Sequence, residues 1–203
     1  MRDLIRALRQ CCCVVAILFA VVTQSGTRAQ TDSSPDIGTL MEQLNDVRTV
    51  QRDTVEQILE LARKNPQARA YVVQKLPDLI RRPQSDVWLD AIRIAGKLKA
   101  REAIPALLEA MSRPQMPAEP YITFGGIMRL DNDIVAKTLS QIGDPAIPST
   151  VDLLESAEGR TRARAILILR NISTPAARKA LQNRLPHESD SEIKTLIRDG
   201  LRS

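Results

Sequence analysis

Hydrophobic residues recur at intervals of three and four positions along most of the chain after residue 36. The first runs are Ile37, Leu40, Met41, Leu44 and Val47, then Val55, Ile58, Leu59 and Ala62, then Val87, Ala91, Ile94, Ala95 and Leu98. This spacing places apolar side chains on one face of each of several successive helices. Beyond the N-terminal segment we find no alternating run typical of a strand and no Asn-Gly hairpin turn. The pattern therefore predicts an all-α fold.

Proline and capping residues predict where these helices begin and end. Asn65 and Pro66 end the second helix. A third helix is expected over about residues 67–76, with an interruption near Pro77 and a short helical turn after it. Ser85 or Asp86 is expected to cap the next helix. The last three helices are expected over residues 162–172, 175–185 and about 189 or 190 to 201, with Ser189 and Glu192 at capping-box spacing.

One motif occurs twice, thirty positions apart. Its two copies are Leu139, Ile142, Gly143, Asp144, Pro145, Ala146 and Leu169, Ile172, Ser173, Thr174, Pro175, Ala176. Gly143 suits the left-handed conformation that ends a helix. Asp144 or Thr174 is expected to cap the next helix, with Pro145 or Pro175 at its first position. The motif predicts stacked helical hairpins, and Ile104-Pro105 matches Ile147-Pro148 as a partial third copy.

These motifs resemble the HEAT repeat, and more closely its short variant of the phycobilin lyase type. The resemblance is strongest over residues 86–185 and weaker over residues 36–82. It implies an α-solenoid of about four to five stacked hairpins over residues 36–203, whose second helices line a concave face used for protein partners. Fold alone does not define function.

The N-terminus has the features of a secretory signal peptide over residues 1–29. Arg2, Arg6 and Arg9 precede an apolar stretch, and Thr27-Arg28-Ala29 resembles a cleavage site. A retained membrane anchor is the alternative, but the apolar stretch is shorter than the roughly 20 residues that span a bilayer. Residues 30–35 are expected to be a flexible linker. We therefore expect an exported protein, periplasmic or extracellular, with no integral membrane span after cleavage.

Removal of this segment changes the charge and the cysteine content. The full chain has 29 basic and 24 acidic residues, and residues 1–29 hold four Arg and one Asp, so the net charge falls from +5 to +2. This balance and the expected export argue against a nucleic-acid partner. All three cysteines lie in the segment that is removed, so no disulfide or thiolate site is expected in the mature chain.

Few residues remain that could support catalysis. The single histidine, His187, is expected to lie solvated in a turn. Deoxyhypusine hydroxylase, an enzyme with this type of repeat, uses several His-Glu pairs for iron, and this chain has only His187-Glu188. Asp131 and Asp133 lack the glycine and distal glutamate of a calcium loop, and helix capping by Asp131 is expected instead. The sequence therefore predicts no enzyme activity, no cofactor and no metal site.

Residues 112–130 depart most from the repeat and are the candidate binding loop. A loop this long in a compact array is often functional. It contains Tyr121, Ile122, Phe124 and Ile127, and aromatic residues are enriched at binding hot spots. In the alternative, Tyr121 and Phe124 pack inward and seal the gap between two repeats. Trp88 is expected in the core.

A cluster of basic residues lies late in the chain. Its members are Arg160, Arg162, Arg164, Arg170, Arg178, Lys179 and Arg184. We expect them on solvated helix faces, with docking to an acidic partner or an anionic surface as the alternative. The favoured function is a non-enzymatic protein–protein interaction scaffold. The alternative is an accessory or regulatory module of an envelope enzyme that binds a small ligand.

Overall fold

The computed structural model of the protein describes residues 36–45, 52–82, 86–112 and 133–202. Helices account for nearly all of these residues, and no strand occurs within them, so the prediction of an all-α fold is confirmed. The helices are α1 (Ile37–Asn45), α2 (Arg52–Lys64), α3 (Pro66–Arg81), α4 (Asp86–Lys97), α5 (Ile104–Met111), α6 (Ile134–Ile142), α7 (Ile147–Leu153), α8 (Gly159–Ile172), α9 (Pro175–Arg184) and α10 (Ser191–Arg202). Short 3₁₀ turns over Arg101–Ala103, Asp144–Ala146 and Leu185–His187 lie between helices.

Each helix packs against helices close to it in the chain. Alternate helices contact one another: α4 packs on α6, α6 on α8, and α8 on α10, while α3 packs on α5 and α7 on α9. Many consecutive helices also pack together, including α2 with α3, α3 with α4, and α8 with α9. Contacts between helices are therefore concentrated between near neighbours along the chain.

Two apolar clusters form the core. The first consists of side chains from the segment spanning α1 to α6 together with Ala146 and with Ile168 of α8, and the second consists of side chains from the segment spanning α7 to α10. Leu153 and Ile172 are partly buried and pack against both clusters. The two clusters therefore meet through these residues, and burial of apolar surface is continuous between them.

Polar contacts between helices recur at a separation close to the repeat length. Five side-chain contacts join residues 28 to 30 positions apart: Arg69 to the Leu98 carbonyl, Arg81 to Glu109, Ser140 to the Ile168 carbonyl, Thr174 to Asp144, and Arg184 to Glu155. The contact from Thr174 Oγ1 to Asp144 Oδ1, at 2.7 Å, joins the same position of the two copies of the repeated motif. Equivalent turns of successive hairpins thus touch.

The structure corrects the prediction for the third helix. We expected an interruption near Pro77, but α3 runs from Pro66 through Pro77 to Arg81. A proline inside a helix removes one backbone hydrogen bond and disfavours the helix. Here Leu76 and Ile80, both fully buried, lie on either side of Pro77. The core contacts of these side chains outweigh the local cost.

The turn between α6 and α7 follows the prediction only in part. Gly143 ends α6 with a positive φ of 85°, as expected, but its ψ of −141° lies outside the left-handed helical region that was predicted. Asp144 does not cap a helix with its side chain, however, and Pro145 does not begin α7. Both lie in a 3₁₀ turn that precedes the helix. Thr174 does cap α9, by accepting a hydrogen bond from the Ala177 N–H.

Candidate functional site

The predicted binding residues Tyr121, Ile122, Phe124 and Ile127 lie outside the described residues. The structure describes the chain on both sides of them, up to residue 112 and again from residue 133. The candidate site described below therefore consists of these two flanks and the buried charged side chains beside them.

A single guanidinium joins the two flanks. Arg164 Nε donates to Asp133 Oδ2 at 2.7 Å, and Arg164 Nη1 donates to the Met111 carbonyl at 2.8 Å. The side chains of Arg164 and Asp133 are 8% and 0% exposed. Arg164 lies in α8, so this buried ion pair connects the end of α5, the beginning of α6 and the middle of α8.

Asp133 has a second role as the N-cap of α6. Its Oδ1 atom accepts a hydrogen bond from the Ala136 N–H at 3.0 Å, which satisfies one of the free donors at the helix start. Capping was expected at Asp131, which lies outside the described residues, and the structure places Asp133 at the N-cap of α6. Because one oxygen of Asp133 caps α6 and the other binds Arg164, this carboxylate fixes the start of α6 relative to α8.

A second buried charge network lies near the C-terminus and is centred on Glu188. Arg162 donates to both carboxylate oxygens at 3.0 Å, and Arg184 donates to one of them at 3.1 Å. The N–H groups of Ser189 and Asp190 donate to the same carboxylate. Arg162 also donates to the carbonyls of residues 156 and 157. The network ties the beginning of α8 and the end of α9 to the segment that leads into α10.

These contacts keep Glu188 ionised. Burial alone would raise the pKa of Glu188, but the hydrogen bonds from Arg162, the Asp190 N–H and Arg184 lower it to about 2. The side chain of Glu188 is 0% exposed. A carboxylate with this pKa and with both oxygens bound to arginine is suited to holding helices together, not to proton transfer near neutral pH.

The single histidine does not join a ligand set within the described part of the chain. His187 is exposed at the end of the Leu185–His187 turn, as predicted, whereas its neighbour Glu188 is buried against two arginines. Among the described residues, no group of three or more His, Cys, Asp or Glu side chains could hold a metal ion.

The late basic cluster divides into two sets. Arg162, Arg164 and Arg184 are only 8–12% exposed and form ion pairs, so their placement on solvated faces is corrected. Arg178 and Lys179 are exposed on α9, as expected. The sequence did contain a signal for the buried set, because Arg164 follows Ala163 and precedes Ala165-Ile166 within an apolar run.

The described aromatic residues occupy different environments. Trp88, predicted in the core, is half-buried and packs against the first core cluster from its edge. Tyr71 is 38% exposed on α3, and Lys75 Nζ lies 5.7 Å from the centre of its ring. Sequence reasoning did not single out Tyr71 as a surface residue. An exposed tyrosine is an amphipathic contact group of the type used at protein interfaces.

Comparison with protein-family models and with curated proteins finds no match to this chain. Within the described ranges, no helix combines the length and the apolar character needed to cross a membrane.

Proposed function

We propose that the protein is an exported, non-enzymatic scaffold for protein partners, built as a solenoid of HEAT-like hairpins. The observation that carries this proposal is the set of side-chain contacts at separations of 28 to 30 residues, including the contact between Thr174 and Asp144. Such contacts are expected where one hairpin stacks on the next in register. The packing of α4 on α6, α6 on α8 and α8 on α10 supports the same arrangement.

The use of the buried charges also favours a scaffold. Asp133 and Glu188 are the buried carboxylates whose side chains are 0% exposed, and each is bound to arginine. The contacts of these carboxylates connect separate helices. A carboxylate held by arginine in this way is poorly suited to acid–base catalysis. A rigid framework lowers the conformational entropy that a binding surface loses on association.

The partner surface proposed here includes the second helices α3, α5, α7 and α9. The exposed residues of these helices include Tyr71 and Lys75 on α3, Glu109 on α5 and Asp152 on α7. An amphipathic aromatic among charges of both signs is typical of a protein-binding surface and differs from a closed pocket for a small ligand. The loop with Tyr121 and Phe124 remains part of the proposal on the sequence evidence given above.

Affinity capture tests this function. The full chain would be incubated with an envelope extract beside two variants, Tyr71→Ala and Tyr121→Ala/Phe124→Ala, each shown by circular dichroism to be folded. Loss of a captured protein in one variant would support the scaffold and locate its contact. The exposed Gln57 of α2, a helix outside the proposed partner surface, provides a control as Gln57→Ala, which should retain the partner. Absence of any specific partner with the parent chain would contradict the proposal.

A further inference from the structure

Three helices that pack side by side carry exposed charge of one sign. The segments α6 and α8 contain no Asp or Glu. In α4, Asp90 is 11% exposed and accepts from Arg93 Nη1 at 2.9 Å, whereas the Arg93 side chain is 59% exposed. Among the side chains that the structure describes on α4, α6 and α8, none of the exposed ones is acidic. We call the set Arg93, Lys97, Lys137 and Arg170 the basic face.

Contacts between α4 and α6 place the cations of these two helices at similar positions along the helix axes. Thr138 Oγ1 donates to the Ile92 carbonyl at 3.4 Å, which aligns Lys137 with Arg93. One turn further along, the Gln141 side chain of α6 lies against Gly96 of α4, where it would meet a Cβ. Lys97, the neighbour of Gly96, therefore lies at the level of Gln141.

The same register continues to α8. Ser140 Oγ donates to the Ile168 carbonyl at 3.4 Å, so the last turn of α6 lies beside the last turn of α8. Arg170 belongs to that turn and is half-buried, with its Cβ atom 3.3 Å from the position that a Cβ on Gly200 would occupy. The basic face thus crosses three helices and two helical turns.

These cations have little local compensation. Lys97 and Lys137 make no ion pair with any described residue, and Arg93 has a single, mostly buried partner. Like charges on adjacent helices raise the local potential and attract a ligand of opposite charge. Each interaction with solvent-exposed charge is weak alone, so recognition would depend on several contacts made together.

From this juxtaposition we propose that the basic face binds an acidic, extended segment of a protein partner that crosses α4, α6 and α8. The inference rests on the proposed scaffold function and adds to it a second contact surface, on α4, α6 and α8, for which it names the chemistry of the partner. Packed helices lie roughly 8–10 Å apart, and an extended chain advances roughly 3.3 Å per residue. Carboxylates about three residues apart would therefore reach cations on neighbouring helices.

A protein segment fits this face better than a membrane surface does. Interfacial membrane binding combines basic residues with large apolar side chains that enter the lipid. Among the described residues, the one large apolar side chain that counts as exposed is Tyr71, and it belongs to α3. The basic face instead has Gln141 and Asn171 among its cations, both exposed and polar.

The test measures binding of a fluorescein-labelled peptide, with Glu at every third position and Ser between, to the full chain by fluorescence anisotropy. We expect binding that weakens as salt is raised. The variant Lys97→Glu/Lys137→Glu should lose about tenfold in affinity, because two attractions become repulsions. The control Arg63→Glu/Lys64→Glu changes the net charge equally on α2, which belongs neither to the basic face nor to the proposed partner surface, and should bind within about twofold of the parent. Circular dichroism would verify that both variants are folded.

Three results would overturn the inference: no peptide binding by the parent, equal loss in both variants, or stronger binding to phosphatidylglycerol vesicles or to single-stranded RNA than to the peptide. Capture from the envelope extract separates this inference from the scaffold function. If both charge variants retained the captured protein, the scaffold would stand and the basic face would not be its contact. If the parent captured nothing, the scaffold itself would fail.

Discussion

At the scale of single residues, the contribution of a charged group to the stability of this protein depends mainly on whether the group is buried. Glu188 illustrates this, because its carboxylate has no exposed surface and accepts hydrogen bonds from Arg162 and Arg184. Ion pairs of exposed groups contribute little, whereas removal of one partner from a buried pair leaves an uncompensated charge. The nearby pair of Arg184 and Glu155 provides a contrast, since Glu155 is 76% exposed.

Replacement of Glu188 should therefore destabilise the protein strongly. For Glu188→Ala we expect a loss of about 3–5 kcal/mol in the free energy of unfolding, measured by urea denaturation at pH 7. Glu155→Ala removes a carboxylate from the same network at its exposed edge and should cost less than about 1 kcal/mol. Similar losses for the two variants would contradict the assignment of Glu188 as the centre of the network.

The pH dependence of stability provides an independent test of Glu188. Its folded pKa of about 2 lies below the unfolded value of 4.5, so the ionised form is favoured by folding. The resulting stabilisation is complete above about pH 4.5 and is lost as the pH falls towards 2. In Glu188→Gln, the decrease in unfolding free energy between pH 5 and pH 3 should be smaller than in the parent. An unchanged pH profile would be inconsistent with this pKa.

Backbone conformation gives a second prediction at the residue scale. Gly143 has a φ of 85° and a ψ of −141°, and a Cβ at this position would meet nothing within 4 Å. Any cost of Gly143→Ala therefore comes from the backbone, and we expect a destabilisation of about 1–3 kcal/mol. Ser173 occupies the equivalent position in the next copy of the motif with a left-handed φ of 58°. Ser173→Gly should stabilise by up to about 1 kcal/mol, because glycine adopts this conformation without a Cβ penalty.

Thermal denaturation of the two variants checks this pair of predictions. Gly143→Ala should lower the melting temperature and Ser173→Gly should raise it. A decrease in both would show that the hydrogen bond from Ser173 Oγ to the Arg170 carbonyl outweighs the backbone term at that turn.

At the scale of helices, the structure shows how α5, α6 and α8 are held together. Arg164 reaches the last carbonyl of α5 and the capping carboxylate of α6 from the middle of α8. We expect Arg164→Met to cost about 3–5 kcal/mol, since Asp133 would keep a buried charge without this guanidinium. Urea denaturation measures the loss.

The double variant Asp133→Asn/Arg164→Met separates the charge from the helix cap. Asparagine is as good an N-cap as aspartate, so the cap of α6 is retained while the buried charge is removed. The double variant should therefore be more stable than Arg164→Met alone, although the Met111 carbonyl still lacks this donor. Additive losses from the two substitutions would contradict a direct coupling between Arg164 and Asp133.

Much of the helical pattern could be predicted from the sequence, and the failures have identifiable causes. Apolar periodicity identifies core residues such as Ile58 and Ile94, because burial of one helix face requires apolar residues at intervals of three and four positions. Predictions from neighbouring residues failed at two positions. At Pro77, buried neighbouring side chains override the low helix propensity of proline. At Asp144, the carboxylate accepts a hydrogen bond from Thr174 and does not cap the adjacent helix. The burial of Arg164 was not predicted, because its partners, Asp133 and the Met111 carbonyl, lie 31 and 53 positions away in the sequence.

At the scale of the whole molecule, the concentration of contacts between helices close together in the chain predicts that stability is local. In a stacked array each unit is stabilised mainly by the next one, so a defect should weaken its own region more than a distant one. Ile58 of α2 and Ile197 of α10 are both 0% exposed, and they belong to the first and second core clusters. They form a matched pair of the same residue type in the two clusters.

The expected result is a reciprocal pattern of amide hydrogen exchange. Ile197→Ala, with a local cost of about 2–5 kcal/mol, should accelerate exchange in α8 to α10 more than in α2 and α3. Ile58→Ala should accelerate exchange in α2 and α3 more than in α9 and α10. If either variant accelerated exchange equally throughout the described helices, the chain would unfold as a single cooperative unit, and this result would count against the proposed solenoid of HEAT-like hairpins.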